Sequence, residues 1–170
     1  MGNIEYLKIK NYSDYKKLVE NIENLCSDKR PLVVIPELLS NIEEEEITIN
    51  IANTLALKEN KILIIDCNFR NLSTYEQFDI SNNFGLYEVL VEDINVEDII
   101  VNIDNNLDIL TFGTKRLNLV DLLTANKLKS IVVYLKEFYD YIILDMPETF
   151  TEYGHILNEI KDVILLGREN

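Results

Sequence analysis

Five short segments of almost wholly apolar residues most limit how this chain can fold. They cover residues 32–35, 61–66, 107–112, 141–145 and 163–166. Strands that are apolar on both faces belong to parallel sheets whose two sides are covered by helices. We therefore predict an α/β fold of three layers, in which a parallel sheet of about five strands lies between helices on both faces.

The segments between these strands carry apolar residues at helical spacing. Over residues 13–26, Leu18, Ile22 and Leu25 fall on one face, and Ser13 can cap the start of the helix. The predicted helices cover residues 13–26, 40–57, 119–139 and 152–161, with shorter ones directly after Gly85 and over residues 96–101.

Two acidic residues, Asp66 and Asp145, stand at the carboxyl ends of predicted strands. Open parallel sheets bind their ligands at that edge. Two interpretations stay open for this pair. The carboxylates cap a neighbouring loop or helix, or they take part in magnesium binding or catalysis.

Composition narrows the function classes further. A length of 170 residues indicates one domain. The 16 basic and 30 acidic residues give a net charge of −14, which argues against nucleic acid or anionic lipid as a direct partner. No apolar run approaches the ~20 residues that span a bilayer, and the N-terminus lacks the pattern of a signal peptide. We expect a cytoplasmic protein without membrane insertion, and two cysteines do not suffice for a zinc site.

Five motifs occur in an order that resembles the bacterial tyrosine-kinase family, a group within the deviant P-loop ATPases. Residues 61–70 resemble its second-strand motif, and residues 139–147 resemble its Walker B segment. Residues 85–90 resemble the family's G-L-x-[DE]-x-L helix start, and residues 106–113 resemble its N-L-x-[VI]-L-x-x-G strand. Residues 15–22 resemble the helix that precedes its first strand.

The resemblance implies a strand order and a division of the chain. The strand at 141–145 would lie between those at 32–35 and 61–66 in a P-loop NTPase-like sheet. Residues 1–30 would form an N-terminal helix that packs on one P-loop NTPase-like domain at 31–170. Members of the family phosphorylate tyrosine with ATP and act in the synthesis or export of cell-surface polysaccharides.

The phosphate loop departs from the family pattern. Alignment of residues 50–52 with the family's N-L-A segment places Glu44 where the family has its P-loop lysine. The loop positions that this alignment assigns, as remnants of a nucleotide site, are Asn41, Glu43, Glu44, Glu45 and Glu46.

This departure from the family pattern weakens phosphate binding for two physical reasons. Glycines let backbone amides converge on phosphate, and residues 31–60 contain no glycine. Two unit charges ~4 Å apart interact by about 4 kcal/mol at an effective dielectric constant of 20, so a glutamate in place of lysine turns attraction into repulsion. We therefore expect no nucleotide cofactor, no metal ion and no catalytic activity.

Three interpretations of residues 43–46 remain open. The four glutamates form a solvated first turn that interacts well with the helix dipole. Alternatively, one glutamate side chain occupies the site of a phosphate group. As a third interpretation, the clustered carboxylates hold Ca²⁺ or Mg²⁺.

Other family positions are partly retained. Asp66 and Arg70 match the second-strand motif, but Asn68 replaces its second carboxylate, and Asp145 matches the Walker B aspartate. The family's ring-forming E-x-x-R-x-x-R motif reads Ser13, Lys16 and Val19 here. The resemblance thus implies an interface at Tyr15, Lys16 and Val19, with one of the three motif charges retained.

Three functions follow as hypotheses. The leading one is a catalytically inactive pseudo-kinase that binds or regulates a protein partner. Its candidate partners are a membrane-anchored polysaccharide co-polymerase, which would hold it at the inner face of the membrane, and a second copy of itself. The second is an active nucleotide-dependent kinase or ATPase that uses Asp66, Asn68, Arg70 and Asp145. The third is a self-assembling positioning module that does not use nucleotide.

Overall fold

A computed structural model describes most of the chain. The described residues are 4–9, 15–26, 30–36, 47–68, 76–92, 94–114, 126–147, 157–158 and 160–168. Within them lie seven strands: β1 (Ile4–Ile9), β2 (Leu32–Pro36), β3 (Ile62–Asp66), β4 (Val101–Asp104), β5 (Leu107–Leu110), β6 (Tyr141–Met146) and β7 (Val163–Arg168). The helices are α1 (Tyr15–Leu25), α2 (Ile47–Ala56), α3 (Leu86–Glu92) and α4 (Asn126–Leu135), with a 3-10 turn at Val96–Asp98.

The seven strands form one sheet in the order β1-β7-β2-β6-β3-β5-β4. Every pairing is parallel except that of β4 with β5, which is antiparallel. The predicted α/β class is confirmed, and β6 lies between β2 and β3 as the resemblance implied. The number of strands differs from the prediction, because seven are present where about five were expected.

Alternate residues of the central strands face two separate cores. Leu63 and Ile65 of β3 point to the side that α3 and α4 cover. Ile62 and Ile64 point to the opposite side, which α1 and α2 cover. These four residues are completely buried. The sheet is therefore the middle layer of three, as expected for strands that are apolar on both faces.

The two strands that the sequence did not reveal, β1 and β4, lie at opposite edges of the sheet. Along β4 the residues alternate between partly buried and exposed, and in β1 the side chain of Tyr6 is 71% exposed. Edge strands keep polar and exposed residues because each pairs on one side alone. Of the short helix predicted over 96–101, the structure has a 3-10 turn at Val96–Asp98, and residue 101 already begins β4.

The helices fall inside their predicted ranges. Helix α1 occupies most of 13–26, α2 lies within 40–57, and α4 lies within 119–139. Most of the predicted helix over 152–161 lies outside the described residues. Among the helices that can be described, none has the length and apolarity needed to cross a membrane.

Candidate functional site

The carboxyl ends of β2, β6 and β3 lie side by side at one edge of the sheet. In this register Asp66 stands opposite Asp145, and Asp145 stands opposite Ile35 on its other side. The Cys67 amide donates a 2.8 Å hydrogen bond to the Asp145 carbonyl, which continues the pairing beyond β3. The structure thus brings together the two carboxylates that the sequence places at strand ends.

Asp66 is completely buried at this edge. Its Oδ1 accepts a 2.9 Å hydrogen bond from the Asn68 amide. Its Oδ2 is buried and has no hydrogen-bond partner among the described residues. Burial, and then the nearby charge of Asp145, raise the pKa of the Asp66 carboxyl well above its usual value of 3.8. The site therefore favours a proton or a cation beside Asp66.

This arrangement fits part of a magnesium site. A buried carboxylate oxygen without a donor needs a positive partner, and Asp66 Oδ2 is such an atom. In phosphotransfer sites Mg²⁺ is held by one or two carboxylates together with the substrate's phosphates. Asp66 and Asp145 could supply those carboxylates. The described residues contain no group of three acidic, histidine or cysteine side chains that would form a complete metal site.

The two residues after Asp66 are also buried. Asn68 is 4% exposed, and Cys67 is completely buried. Burial, followed by the charges of Asp66 and Asp145, raises the pKa of the Cys67 thiol. Because the thiolate is the nucleophilic form, Cys67 is unsuited to nucleophilic catalysis. It belongs to the core beside the site.

The turn after β5 forms the other side of this edge. Ile65 on β3 pairs with Leu110 on β5, so the positions that follow, Asp66 and Thr111, lie next to each other. The Thr111 hydroxyl donates a 3.2 Å hydrogen bond to the Phe84 carbonyl, just before α3. Asp66 is therefore flanked by Asp145 on one side and by the turn at 111–114 on the other.

Glu88 borders the site. The sequence places it at the acidic position of the helix-start motif over residues 85–90, but no role in the site was predicted for it. The residue is 2% exposed, and its carboxylate accepts hydrogen bonds from the amides of Gly85 and Thr114. The signal that could have found it is the spacing of Gly85 and Glu88, since a glutamate three residues after a helix cap returns to the cap's amide. The bond to Thr114 depends on the tertiary fold.

Several predicted site positions lie outside the described residues. These are Asn41, Glu43, Glu44, Glu45 and Arg70. The alignment that places Glu44 at the lysine position, and the three interpretations of residues 43–46, therefore stay predictions.

The predicted interface on α1 is divided between core and surface. Val19 is completely buried and packs with the α2 side of the sheet. Tyr15 is partly buried against the same cluster, while Lys16 is exposed. A contact with a partner through this helix would therefore use Lys16 and not Val19.

A cavity of about 320 Å³ lies at the opposite, amino edge of the sheet. Its lining includes Lys61, at the start of β3, and Tyr139. The Tyr139 hydroxyl donates a 2.8 Å hydrogen bond to Asp108, and Lys61 Nζ lies 4.9 Å from the centroid of the Tyr139 ring. These polar groups already interact with one another, and the cavity does not include Asp66 or Asp145.

Comparisons with known proteins show a family and several relatives that this chain resembles. The model of a family described as AAA domain matches residues 16–166. The tyrosine-protein kinase Ptk of Acinetobacter johnsonii is 26% identical over 154 residues, which are 85% of this chain and 21% of the relative. The tyrosine-protein kinase YwqD of Bacillus subtilis is 27% identical over 139 residues, 81% of this chain and 59% of the relative. The chain thus spans less than two thirds of the length of either relative.

Solved structures support the same fold. The kinase domain of the Escherichia coli tyrosine kinase Etk has a TM-score of 0.80 at 19% identity, over 91% of this chain and 62% of that one. The chimerical protein CapA2B2 has a TM-score of 0.71 at 18% identity, over 95% of this chain and 92% of that one. The resemblance to bacterial tyrosine kinases is confirmed by these matches.

The prediction that the chain is not an enzyme is contradicted by the same matches. The relatives are named tyrosine-protein kinases, and a matching structure is a kinase domain. That prediction gave most weight to Glu44, which lies outside the described residues. The described part of the site holds Asp66 and Asp145, which stand opposite each other on β3 and β6.

Proposed function

The chain belongs to the AAA domain family and is a relative of the bacterial tyrosine-protein kinases, and on that premise we propose that it transfers phosphate from a nucleotide. ATP with Mg²⁺ is the proposed donor, and a protein tyrosine is the proposed acceptor. The observation that carries the proposal is the pair of carboxylates, Asp66 and Asp145, opposite each other at the carboxyl edge of the sheet. That edge is where open parallel sheets bind their ligands.

The two carboxylates receive different roles. Asp66 is buried with a raised pKa, so it holds a proton more readily than an ordinary carboxylate and can accept one from a tyrosine hydroxyl. Asp145 is only partly buried, and its carboxylate can face the metal-bound phosphates. Mg²⁺, when bound, supplies neutralisation of the charge that develops on the phosphoryl oxygens.

The predicted phosphate loop is the part of the site that is least favourable for nucleotide binding. The sequence alignment puts Glu44 where the family has lysine, and each close like-charge contact with phosphate is unfavourable. The proposed enzyme therefore depends more strongly on Mg²⁺ than one with a P-loop lysine. A nucleotide affinity that disappears without Mg²⁺ would agree with this expectation.

Thermal unfolding with millimolar MgADP and MgATP tests the proposal directly. A ligand at 100 times its Kd stabilises a protein by about 2.7 kcal/mol, and a chain of this size should then unfold roughly 5–10 °C higher. We expect this shift with Mg²⁺ and a smaller one with EDTA. No shift of the wild-type chain under any of these conditions would contradict the proposal.

Matched variants assign the effect to the site. Asp66→Asn should weaken MgADP binding by about tenfold or more and abolish transfer, because it removes one of the two carboxylates that could hold Mg²⁺ and also the group that accepts the tyrosine proton. Asp98→Asn is the control, since Asp98 is exposed in the 3-10 turn at Val96–Asp98. Glu44→Lys should strengthen binding if the alignment of the loop is correct.

The proposal includes a partner. The resemblance to the bacterial tyrosine kinases implies a role in the synthesis or export of cell-surface polysaccharides, and the fold of the chimerical protein CapA2B2 matches 95% of this chain. We infer that the chain works at the inner face of the membrane by docking on a membrane-anchored co-polymerase. Exposed Lys16 on α1 is available for such a contact.

A further inference from the structure

The carboxylate of Glu88 is buried, yet hydrogen bonds engage both of its oxygens. The residue is 2% exposed. Oε2 accepts a 2.8 Å hydrogen bond from the Gly85 amide. Oε1 accepts a 3.1 Å bond from the Thr114 amide and a second bond from the Thr114 hydroxyl. One side chain thus links the start of α3 to the turn at 111–114.

Backbone hydrogen bonds strengthen the same link. The Leu86 amide donates to the Thr111 carbonyl at 2.8 Å, and the Tyr87 amide donates to the Phe112 carbonyl at 2.8 Å. The first amides of a helix have no partner within the helix. In α3 they are used to hold the turn. Glu88 accepts at the far end of that turn, at Thr114, where these backbone bonds do not reach.

The turn held in this way borders the candidate site. The pairing of Ile65 with Leu110 places Thr111 beside Asp66. Cys67, the next residue along the chain, packs in the same core cluster as Leu86 of α3. Asp66 therefore lies beside the turn, and Cys67 lies in the core that packs against α3.

We propose that Glu88 is a positioning residue that fastens the turn at 111–114 to α3 and so fixes the side of the phosphotransfer site next to Asp66. The proposal rests on the proposed function, because it gives Glu88 a task at that same site. A buried charge is costly unless it is fully paired. An apolar side chain at this position could pack in the core, but it could not accept the hydrogen bonds that join the start of α3 to the turn at 111–114.

Glu88→Gln is the variant that tests this role. Glutamine has nearly the same shape, but its side chain carries one acceptor oxygen and one NH₂ donor. Glu88 accepts from Gly85 on one side and from Thr114 on the other, so a donor would oppose a donor on one of the two sides. The link should therefore break while the volume of the core is kept.

The control is Val19→Ala. Val19 is completely buried, but it belongs to the core on the other side of the sheet from α3. This variant loses stability through a cavity. Denaturant titration of both variants gives the global free energy of unfolding against which each readout is normalised.

Two readouts are made on both variants. The first is the labelling rate of the Cys67 thiol in a Cys26→Ala background, because Cys67 becomes accessible when the site opens locally. The second is the Kd for MgADP. In Glu88→Gln we expect labelling roughly tenfold faster than its global stability explains, and a Kd roughly tenfold higher. In Val19→Ala, both should follow global stability.

Each outcome decides the proposal. Labelling of Glu88→Gln that follows global stability would overturn it, because the turn is then held without Glu88. Faster labelling with an unchanged Kd would also overturn it, since the turn would not position the site. If the wild-type chain binds no MgADP, the proposed function fails, and the labelling rate alone decides whether Glu88 holds this side of the site.

Discussion

At the scale of single residues, Asp66 lowers the stability of the folded protein, and in the proposed function the same carboxylate accepts a proton. Its carboxylate is completely buried, and Oδ2 has no hydrogen-bond partner among the described residues. Leaving a buried polar atom unpaired costs about 1–3 kcal/mol. Ionisable residues whose pKa is strongly shifted by burial and a neighbouring charge cluster at functional sites. Asp145, one strand away, raises the cost further through its charge.

Asp66→Asn should therefore stabilise the protein, and more so at alkaline pH. The folded state raises the pKa of Asp66, so its contribution to stability is full below the unfolded pKa and is lost as pH rises through the folded one. Asparagine does not ionise, so the variant does not lose stability in this way as the pH rises. We expect a gain of about 1–3 kcal/mol near pH 8 and a smaller gain near pH 5, measured by thermal unfolding. A gain that does not grow with pH would contradict the assignment.

Some residues of the site could be predicted from the sequence, and others could not. Asp66 and Asp145 could be predicted because each ends an apolar strand, and parallel strands bring such ends to one edge. The link from Glu88 to Thr114 could not be predicted, since it depends on a contact across 26 residues of chain. Val19 occupies the last position of the family's E-x-x-R-x-x-R motif, which predicted an interface. Its burial could not be predicted, because that depends on how α1 packs.

At the scale of elements, the start of α3 approaches the turn after β5 unusually closely. A Cβ atom added to Gly85 would lie 2.3 Å from the Thr111 carbonyl oxygen and 2.4 Å from the Gly113 amide nitrogen. Gly113 itself has a φ of +92°, which other residues rarely adopt. The two glycines let the helix and the turn bond to each other directly.

Gly85→Ala should consequently destabilise the protein. The added methyl group must displace backbone atoms, and overpacking of this kind costs about 1–3 kcal/mol or more. Gly167→Ala is the matched control, because a Cβ atom there would meet nothing within 4 Å. Chemical denaturation of the two variants should separate them clearly. Equal stability of both would show that α3 does not approach the turn as described.

The two strands that the sequence did not predict, β1 and β4, are the edge strands of the sheet. The central strands were predictable because they are buried on both faces. The β4 segment alternates between partly buried and exposed residues, a pattern that short loops also show. The antiparallel pairing of β4 with β5 adds an edge that apolar patterning alone does not reveal.

At the scale of the whole molecule, the sheet interleaves strands from the two ends of the chain. The late strand β7 lies between β1 and β2, and the late strand β6 lies between β2 and β3. The early strands β1, β2 and β3 are therefore never neighbours of one another. In the sheet, β1 and β2 pair with strands made after residue 140, and β3 has β5 as its one earlier partner.

A chain that ends at residue 140 should accordingly fail to fold, because it lacks both interior strands β6 and β7. We expect a circular dichroism spectrum without a cooperative thermal transition. The control is a chain that begins at residue 15 and lacks only the edge strand β1, which pairs with β7 alone. It should be less stable and still unfold cooperatively. Cooperative unfolding of the shorter chain would contradict the strand order.

The same interleaving has a consequence during synthesis. Ribosomes add about 5–20 residues each second, so several seconds pass between the appearance of β2 and that of β6. Through that interval the apolar strand β2 has no partner in the sheet order, and β3 can pair with β5 alone. Non-local pairing of this kind is slow and leaves segments open to aggregation. The nascent chain should therefore be a substrate for chaperones until its last strands emerge.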